Sequence, residues 1–305
     1  MERQEFLDWL TSYTDAEKCL ECFDNQKQFF RINTIKMNNE KFKETSKIKR
    51  KQSPYYDLAY ELDERIQIGK TWEYFLGYVY PQSLPSILVS KILDPKPGET
   101  VGDVAAAPGS KFSHMAALMN NTGILFGNDQ KEKLSALYAT INRMNILNCI
   151  VMFGDAVKMK LPFKFDKILV DAPCTALGSG PEAYFRWDEN HSQKISCLQE
   201  KMIIRAFDNL KVGGEMIYST CTYAKEENEE VVLKLLEARS TEARLVDIKV
   251  NFPHVNGLSE YGAEFGKTIR IYPQHLESEG FFIAKIKKVE GGQACCSRQQ
   301  DTIDN

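Results

Sequence analysis

From Pro81 onward the chain alternates short apolar runs with amphipathic stretches of helical spacing, and this alternation constrains the fold more than any other feature. Strands separated by helices imply a parallel sheet, because a parallel pair needs a crossover long enough to hold a helix. The expected strands are 100–104, 124–127, 149–153, one run ending at Asp171, one ending at Ser219, and finally 245–250 and 281–287. Between them the spacing predicts helices over 83–93, from the 105–111 loop to Met119, and over 131–144, 189–210 and 226–238.

Two of these strand ends carry cysteines. Asp171-Ala172-Pro173-Cys174 follows one apolar run, and Ser219-Thr220-Cys221-Thr222 follows another. In an open α/β sheet, ligands bind at the carboxyl ends of the strands. A thiol there is a nucleophile once deprotonated, and a nearby cation, a helix amino terminus or a base activates it. Any single cysteine is more simply read as a buried structural thiol. Two at strand ends, one of them beside a carboxylate, make a candidate covalent-catalysis site.

The neighbouring strand ends carry acids, Asp103, Asp129 and Asp155, and the first is followed by Ala105-Ala106-Ala107-Pro108-Gly109-Ser110-Lys111. Small residues let a ligand approach the backbone, and an acid after the second strand is placed to accept ribose hydroxyls. The loop has neither G-x-G-x-x-G nor Walker A spacing, and Pro108 removes one N–H donor. This points to a nucleoside without phosphates, namely S-adenosylmethionine, rather than NAD or ATP.

Composition narrows the class. Hydrophobic residues are 43% and charged residues 27%, as in ordinary globular proteins. No apolar run has membrane-spanning length and the first residues lack signal-peptide character, so an intracellular protein, cytoplasmic or nuclear, is expected with no membrane partner. Its eight cysteines are then reduced thiols. Cys19-Leu20-Glu21-Cys22 has no second pair at zinc-ligand spacing, so no metal is expected. A net charge of −3 gives no global case for nucleic acid. Locally, however, Lys41, Lys43, Lys47, Lys49, Arg50 and Lys51 surround one acid, Glu44. Residues 1–80, with short helices over 2–27, a strand over 29–35 and many aromatics over 53–80, read as an α+β appendage that binds RNA. Residues 81–289 read as the catalytic domain and 290–305 as a disordered tail.

These motifs, with Arg31-Ile32-Asn33-Thr34, Tyr80-Pro81-Gln82-Ser83, Arg270-Ile271-Tyr272-Pro273 and Gly280-Phe281-Phe282-Ile283-Ala284, resemble the Fmu/Sun family of RNA cytosine-5 methyltransferases. The likeness is greatest to compact archaeal-type tRNA enzymes and covers residues 29–287. It implies a seven-stranded Rossmann-like methyltransferase sheet whose last strand is antiparallel. It also implies S-adenosylmethionine contacts from Ala105 to Lys111 and from Asp129, Asp155 and Asp171. The family loop usually ends G-G-K-T and often opens with cysteine, where this chain has Ser110, Phe112 and Ala105.

The resemblance implies that Cys221 attacks carbon 6 of cytosine, Asp171 hydrogen-bonds the ring, Lys111 orients the base or Asp171, and Cys174 helps release the RNA. The Pro-Cys cysteine of DNA cytosine methyltransferases would instead point to Cys174. A tRNA substrate is expected, with ribosomal RNA as the alternative within the chemistry and a catalytically silent RNA-binding assembly factor as the alternative outside it. A cysteine hydrolase would need a histidine beside the thiol. The pattern does not specify an oligomeric state.

Overall fold

The computed structural model describes residues 3–158, 163–180, 182 and 188–291. The expected disordered tail lies outside the described residues beyond Gly291.

The first eighty residues hold helices α1 (Arg3–Thr11), α2 (Ala16–Asp24), α3 (Asn39–Thr45) and α4 (Trp72–Phe75) and strands β1 (Phe29–Ile32), β2 (Arg50–Gln52), β3 (Ala59–Leu62) and β4 (Val79–Pro81). The strands form an antiparallel sheet in the order β2-β3-β1-β4. Of the aromatics expected over 53–80, Tyr60 is buried in its core, where Phe30 stacks on it and meets Phe42 edge-on, while Trp72 and Phe75 stand exposed. Helices α1 and α2 pack elsewhere, with Phe6, Leu10, Cys19 and Phe23 against Leu177, Tyr223 and Tyr272 of the following region.

From Leu84 the elements run α5 (Leu84–Leu93), β5 (Thr100–Asp103), α6 (Ser110–Leu118), β6 (Ile124–Asp129), α7 (Leu134–Met144), β7 (Cys149–Phe153), β8 (Phe165–Asp171), α8 (Glu189–Asp208) and β9 (Leu210–Thr220). They continue as α9 (Glu229–Ala238), β10 (Ala243–Leu245), β11 (Val255–Asn256), β12 (Ile269–Ile271), α10 (Pro273–Leu276) and β13 (Phe281–Lys288). The sheet order is β11-β12-β13-β9-β8-β5-β6-β7, with β10 on β13. Strands β5 to β9 pair in parallel, and β13 runs antiparallel to β9 and β12. The expected α/β sheet with an antiparallel last strand is therefore present, extended by the short β10 and β11. Apolar side chains of the central strands feed two cores, one under α5, α6 and α7 and one under α8 and α9.

One expected strand is cut short. The run 245–250 alternates apolar and polar residues, yet pairing ends at Leu245. The free edge of β13 is taken by β12 at 281–283 and by β10 at 286–288, and after one bond from Val246 N to Lys285 O (2.9 Å) the run 247–250 leaves the sheet. Its Ile248 and Val250 pack on the core from a loop instead. The sixth place in the sheet goes to β12.

Buried polar contacts lock the appended elements to the large sheet. Arg31 of β1 is fully buried and donates to Ser110 O (2.9 Å), Ser113 Oγ (2.5 Å) and Gln82 Oε1 (3.0 Å). Asn33 donates to Gly77 O (3.0 Å) and Met144 O (2.9 Å). The R-x-N-T element thus clamps the start of α6 and the end of α7. At the other edge Arg270 of β12 forms a two-point pair with buried Glu229 and donates to Tyr223 O (2.9 Å). Removing one partner of such a pair leaves a buried charge uncompensated. Arg270→Met is expected to lower the unfolding free energy by about 3–5 kcal/mol, read by chemical denaturation.

Candidate active site

The two cysteine motifs meet because of strand register. Asp171 closes β8 and pairs with Ser219 on β9, so Cys174 and Cys221 lie three and two residues beyond one aligned position. Their sulfurs are 3.5 Å apart and both residues are half-buried. A network behind them fixes the two loops. Thr175 and Thr222 hydroxyls lie 2.9 Å apart, and buried Glu227 accepts from Thr175 N (3.0 Å), Thr175 Oγ1 (2.5 Å) and Gln199 Nε2 (3.1 Å). Gln199 also donates to Pro173 O at 2.8 Å. Gly178 threads between the motifs, its N–H on Cys221 O and its carbonyl accepting from Gly280 N, both at 2.8 Å. A Cβ at Gly178 would stand 2.8 Å from Gly280 O and 3.0 Å from Cys221 O, so the approach requires glycine.

Asp171 is held from two sides: Lys111 Nζ lies 2.8 Å from Oδ2, and Ser219 Oγ donates to Oδ1 at 2.9 Å. Lys111 is buried, 5.1 Å above the Phe281 ring. Burial opposes its charge, but the Asp171 carboxylate outweighs this and holds the ammonium above its usual range. The thiol of Cys221 is pushed well above its ordinary value, first by its hydrogen bond with Cys174 and then by burial. Asp103, sealed beneath the loop and accepting from Ala105 N (3.2 Å), is pushed up to about 8 by burial and by the nearby Asp171.

A cavity of about 620 Å³ opens beside the thiols. Of the residues singled out from sequence, Ala105, Ala107, Asp129, Asp155, Asp171, Cys174 and Cys221 line it. Ala106, Pro108, Gly109, Ser110 and Lys111 do not. Ala106 packs in the core, and Gly109 takes the left-handed turn (φ 106°) into α6, where a Cβ would stand 2.8 Å from Thr140. Ser110 is the first residue of α6, without a positive φ, so its side chain costs the loop no strain. Asp129 accepts from Ala107 N and Gln130 N, both at 2.8 Å, so it shapes the loop as well as facing the cavity.

Asn128 was not apparent from sequence, since an asparagine at a strand end carries no pattern. It lines the cavity, and its buried Oδ1 has no partner. An unsatisfied buried acceptor, small loop side chains and two acids make a cradle that fits a nucleoside. A larger groove of about 850 Å³, between α5 and residues 247–252, contains none of these residues. Among the described residues no histidine lines the thiol cavity: His114 faces Tyr56 Oη at 3.1 Å, and His275 accepts from Tyr272 N. That leaves a cysteine hydrolase without its base. No described helix is long and apolar enough to cross a membrane.

The chain is similar to known proteins. Residues 90–287 match the family described as 16S rRNA methyltransferase RsmB/F. The tRNA (cytosine(49)-C(5))-methyltransferase of Pyrococcus abyssi is 36% identical over 85% of this chain and 87% of its own length. Ribosomal RNA small subunit methyltransferase F of Shewanella piezotolerans is 33% identical over 94% of this chain, which spans 64% of that protein. The structure of NSun6 from Pyrococcus horikoshii with SFG superposes with a TM-score of 0.81, 25% identical over 94% of this chain and 97% of that one.

The thiol pair yields a prediction. Because the bond with Cys174 is the first cause raising Cys221, Cys174→Ala is expected to lower its pKa. Iodoacetamide labelling of Cys221 at pH 7 then becomes faster, and the rise in rate moves to lower pH, read by peptide mass spectrometry.

Proposed function

From the premise that this chain belongs to the RsmB/F family and is an S-adenosylmethionine-dependent RNA (cytosine-5) methyltransferase, we propose that it methylates tRNA through a covalent adduct at Cys221. The observation that carries this reading is the 3.5 Å approach of Cys174 and Cys221 beside a carboxylate fixed by Lys111. Support for tRNA is the match over 87% of an archaeal protein named for tRNA. Ribosomal RNA is the second reading, favoured by the name of the matched family.

Carbon 5 of cytosine is too weak a nucleophile to take a methyl group from a sulfonium. S-adenosylmethionine, when bound by Ala105, Ala107, Asn128, Asp129 and Asp155, supplies the electrophilic methyl. Addition of Cys221 Sγ to carbon 6 turns carbon 5 into an enamine nucleophile. Asp171, immobilised by Lys111 and Ser219, meets the exocyclic amine and N3, where charge develops as the ring is attacked. Once the carbon 5 proton leaves, the S–C6 bond breaks and Cys174 assists release. The target base reaches this cavity only after leaving its stack.

Residues 1–80 serve in this proposal as the RNA-holding appendage and 81–289 as the methyltransferase domain. Lys41, Lys43, Lys47 and Lys51 stand exposed for phosphate. Two members of the basic run are engaged elsewhere. Arg50 donates to the carbonyls of Phe42, Ser46 and Ile48 and lies over the Phe42 ring, and Lys49 faces Glu64 at 3.5 Å.

Two tests follow from this assignment. On tRNA transcribed with 5-fluorocytidine, Cys174→Ala is expected to accumulate covalent adduct and Cys221→Ala to form none; the reverse result assigns the nucleophile to Cys174. Changing Lys43, Lys47 and Lys51 to Glu is expected to weaken tRNA binding and lower the salt slope by about 1 per lost phosphate contact, with S-adenosylmethionine affinity unchanged.

A further inference from the structure

Two thiols in hydrogen-bonding contact are one bond short of a disulfide, and the cavity gives small solutes access to both. Cys174 and Cys221 stand 3.5 Å apart, and each lines the space of about 620 Å³. Among the described residues no other two sulfurs stand in such contact; Cys19, the most deeply buried of them, faces Tyr223 Oη at 3.8 Å instead.

The backbone is already aligned for closure. Asp171 pairs with Ser219 at the ends of β8 and β9, and past the strands the match continues between side chains. Cys174 meets Cys221, and Thr175 meets Thr222, their hydroxyls 2.9 Å apart. The S–S bond of a disulfide is about 2 Å long, so the two sulfurs must approach by about 1.5 Å. Both cysteines lie beyond the last residue of their strand, in loops that shift by such a distance without breaking the sheet. Glu227 and Gly178 anchor these loops through Thr175 and the Cys221 carbonyl, leaving closure to rotation about the cysteine side-chain bonds. A sulfur oxidised here already has its resolving thiol beside it, and a partner so held acts at an effective concentration far above that of a dissolved thiol. The hydrogen bond that raises Cys221 slows the first oxidation and leaves this second step unaltered.

We infer that Cys174 and Cys221 form a reversible disulfide, with hydrogen peroxide as oxidant, and that this disulfide silences methyl transfer. One thiolate attacks the peroxide: an S–O bond forms, the O–O bond breaks, and the departing hydroxide takes up the proton of that thiol as water. The second sulfur attacks the resulting sulfenic acid; the S–S bond forms, the S–O bond breaks, and hydroxide leaves with the remaining thiol proton as a second water. Two thiols and one hydrogen peroxide become one disulfide and two waters, the sulfurs being oxidised and the peroxide oxygens reduced. In that state Cys221 offers no thiolate to carbon 6 and Cys174 no thiol for release, a consequence that rests on the covalent reading above. An external dithiol restores both by thiol–disulfide exchange.

The experiment treats the full chain, freed of reductant, with hydrogen peroxide. Disulfides are read by peptide mass spectrometry after alkylation, alongside methyl transfer to a mixture of tRNA and 16S rRNA transcripts. Linked peptides carrying Cys174 and Cys221 are expected, with activity down at least about tenfold and restored to within about twofold by dithiothreitol. The same result is expected from a chain with Cys295→Ser and Cys296→Ser, which removes the adjacent thiols near the carboxy terminus. With Cys174→Ala, Cys221 has no resolving thiol and is expected to pass to the sulfinic acid, gaining two oxygens that dithiothreitol does not remove. Absence of the 174–221 link, or a link that dithiothreitol does not open, overturns the inference. So does a Cys174→Ala chain whose Cys221 over-oxidises no more readily than the parent's. A linked chain that still methylates cytosine overturns the covalent reading and the silencing with it. A parent chain without methyl transfer before oxidation overturns the proposed function, while the thiol map still decides the disulfide.

Discussion

The grip on Asp171 is the interaction the rest of the site depends on. Its carboxylate ends one strand, receives a hydroxyl from the next strand and an ammonium from helix α6, and so joins three elements at one point. The strand register Asp171 to Ser219 brings the two cysteine loops to the same height, and Lys111 holds the helix that follows the 105–109 loop against them. An ion pair buried this far gives little net stability, since desolvation offsets most of the attraction. Its value is positional: a carboxylate with both oxygens engaged cannot turn away from the space where a pyrimidine would lie.

The same device recurs around the centre, each time with a charge from a distant segment holding a loop. Arg31 reaches from the small sheet to the first turn of α6, Arg270 reaches from β12 to the carbonyl two residues past Cys221, and Glu227 gathers the loop after Cys174. Helices α1 and α2 add an apolar seal over Tyr223 and Tyr272. The segments before and after the parallel sheet therefore take part in shaping the site. A loop bearing a nucleophile needs such support, because loops by themselves are the mobile part of a fold.

What could be read from the sequence follows from which physical signals are local. Buried parallel strands are nearly continuous apolar runs, and the exposed edge strand β7 is apolar as well, so β5 to β9 and the acids and cysteines ending them were visible. The run at 245–250 carried the right alternation, but whether it becomes a strand depends on a free sheet edge, a property of the tertiary structure. Strand β12 is only three residues with an arginine at its centre, and Arg270 is buried only because Glu229, 41 residues away, meets it. Arg50 looked like a phosphate contact and is spent on backbone carbonyls nearby. Asn128 acquires meaning only from its burial and from what surrounds it.

The central claim is that the two thiols and Asp171 methylate carbon 5 of cytosine in RNA. It is tested most directly by nucleoside mass spectrometry of tRNA and ribosomal RNA incubated with the protein and methyl-deuterated S-adenosylmethionine. The account predicts labelled 5-methylcytidine, in tRNA, that disappears with Cys221→Ala. Label in a different nucleoside, or an undiminished yield of 5-methylcytidine from Cys221→Ala, would contradict it.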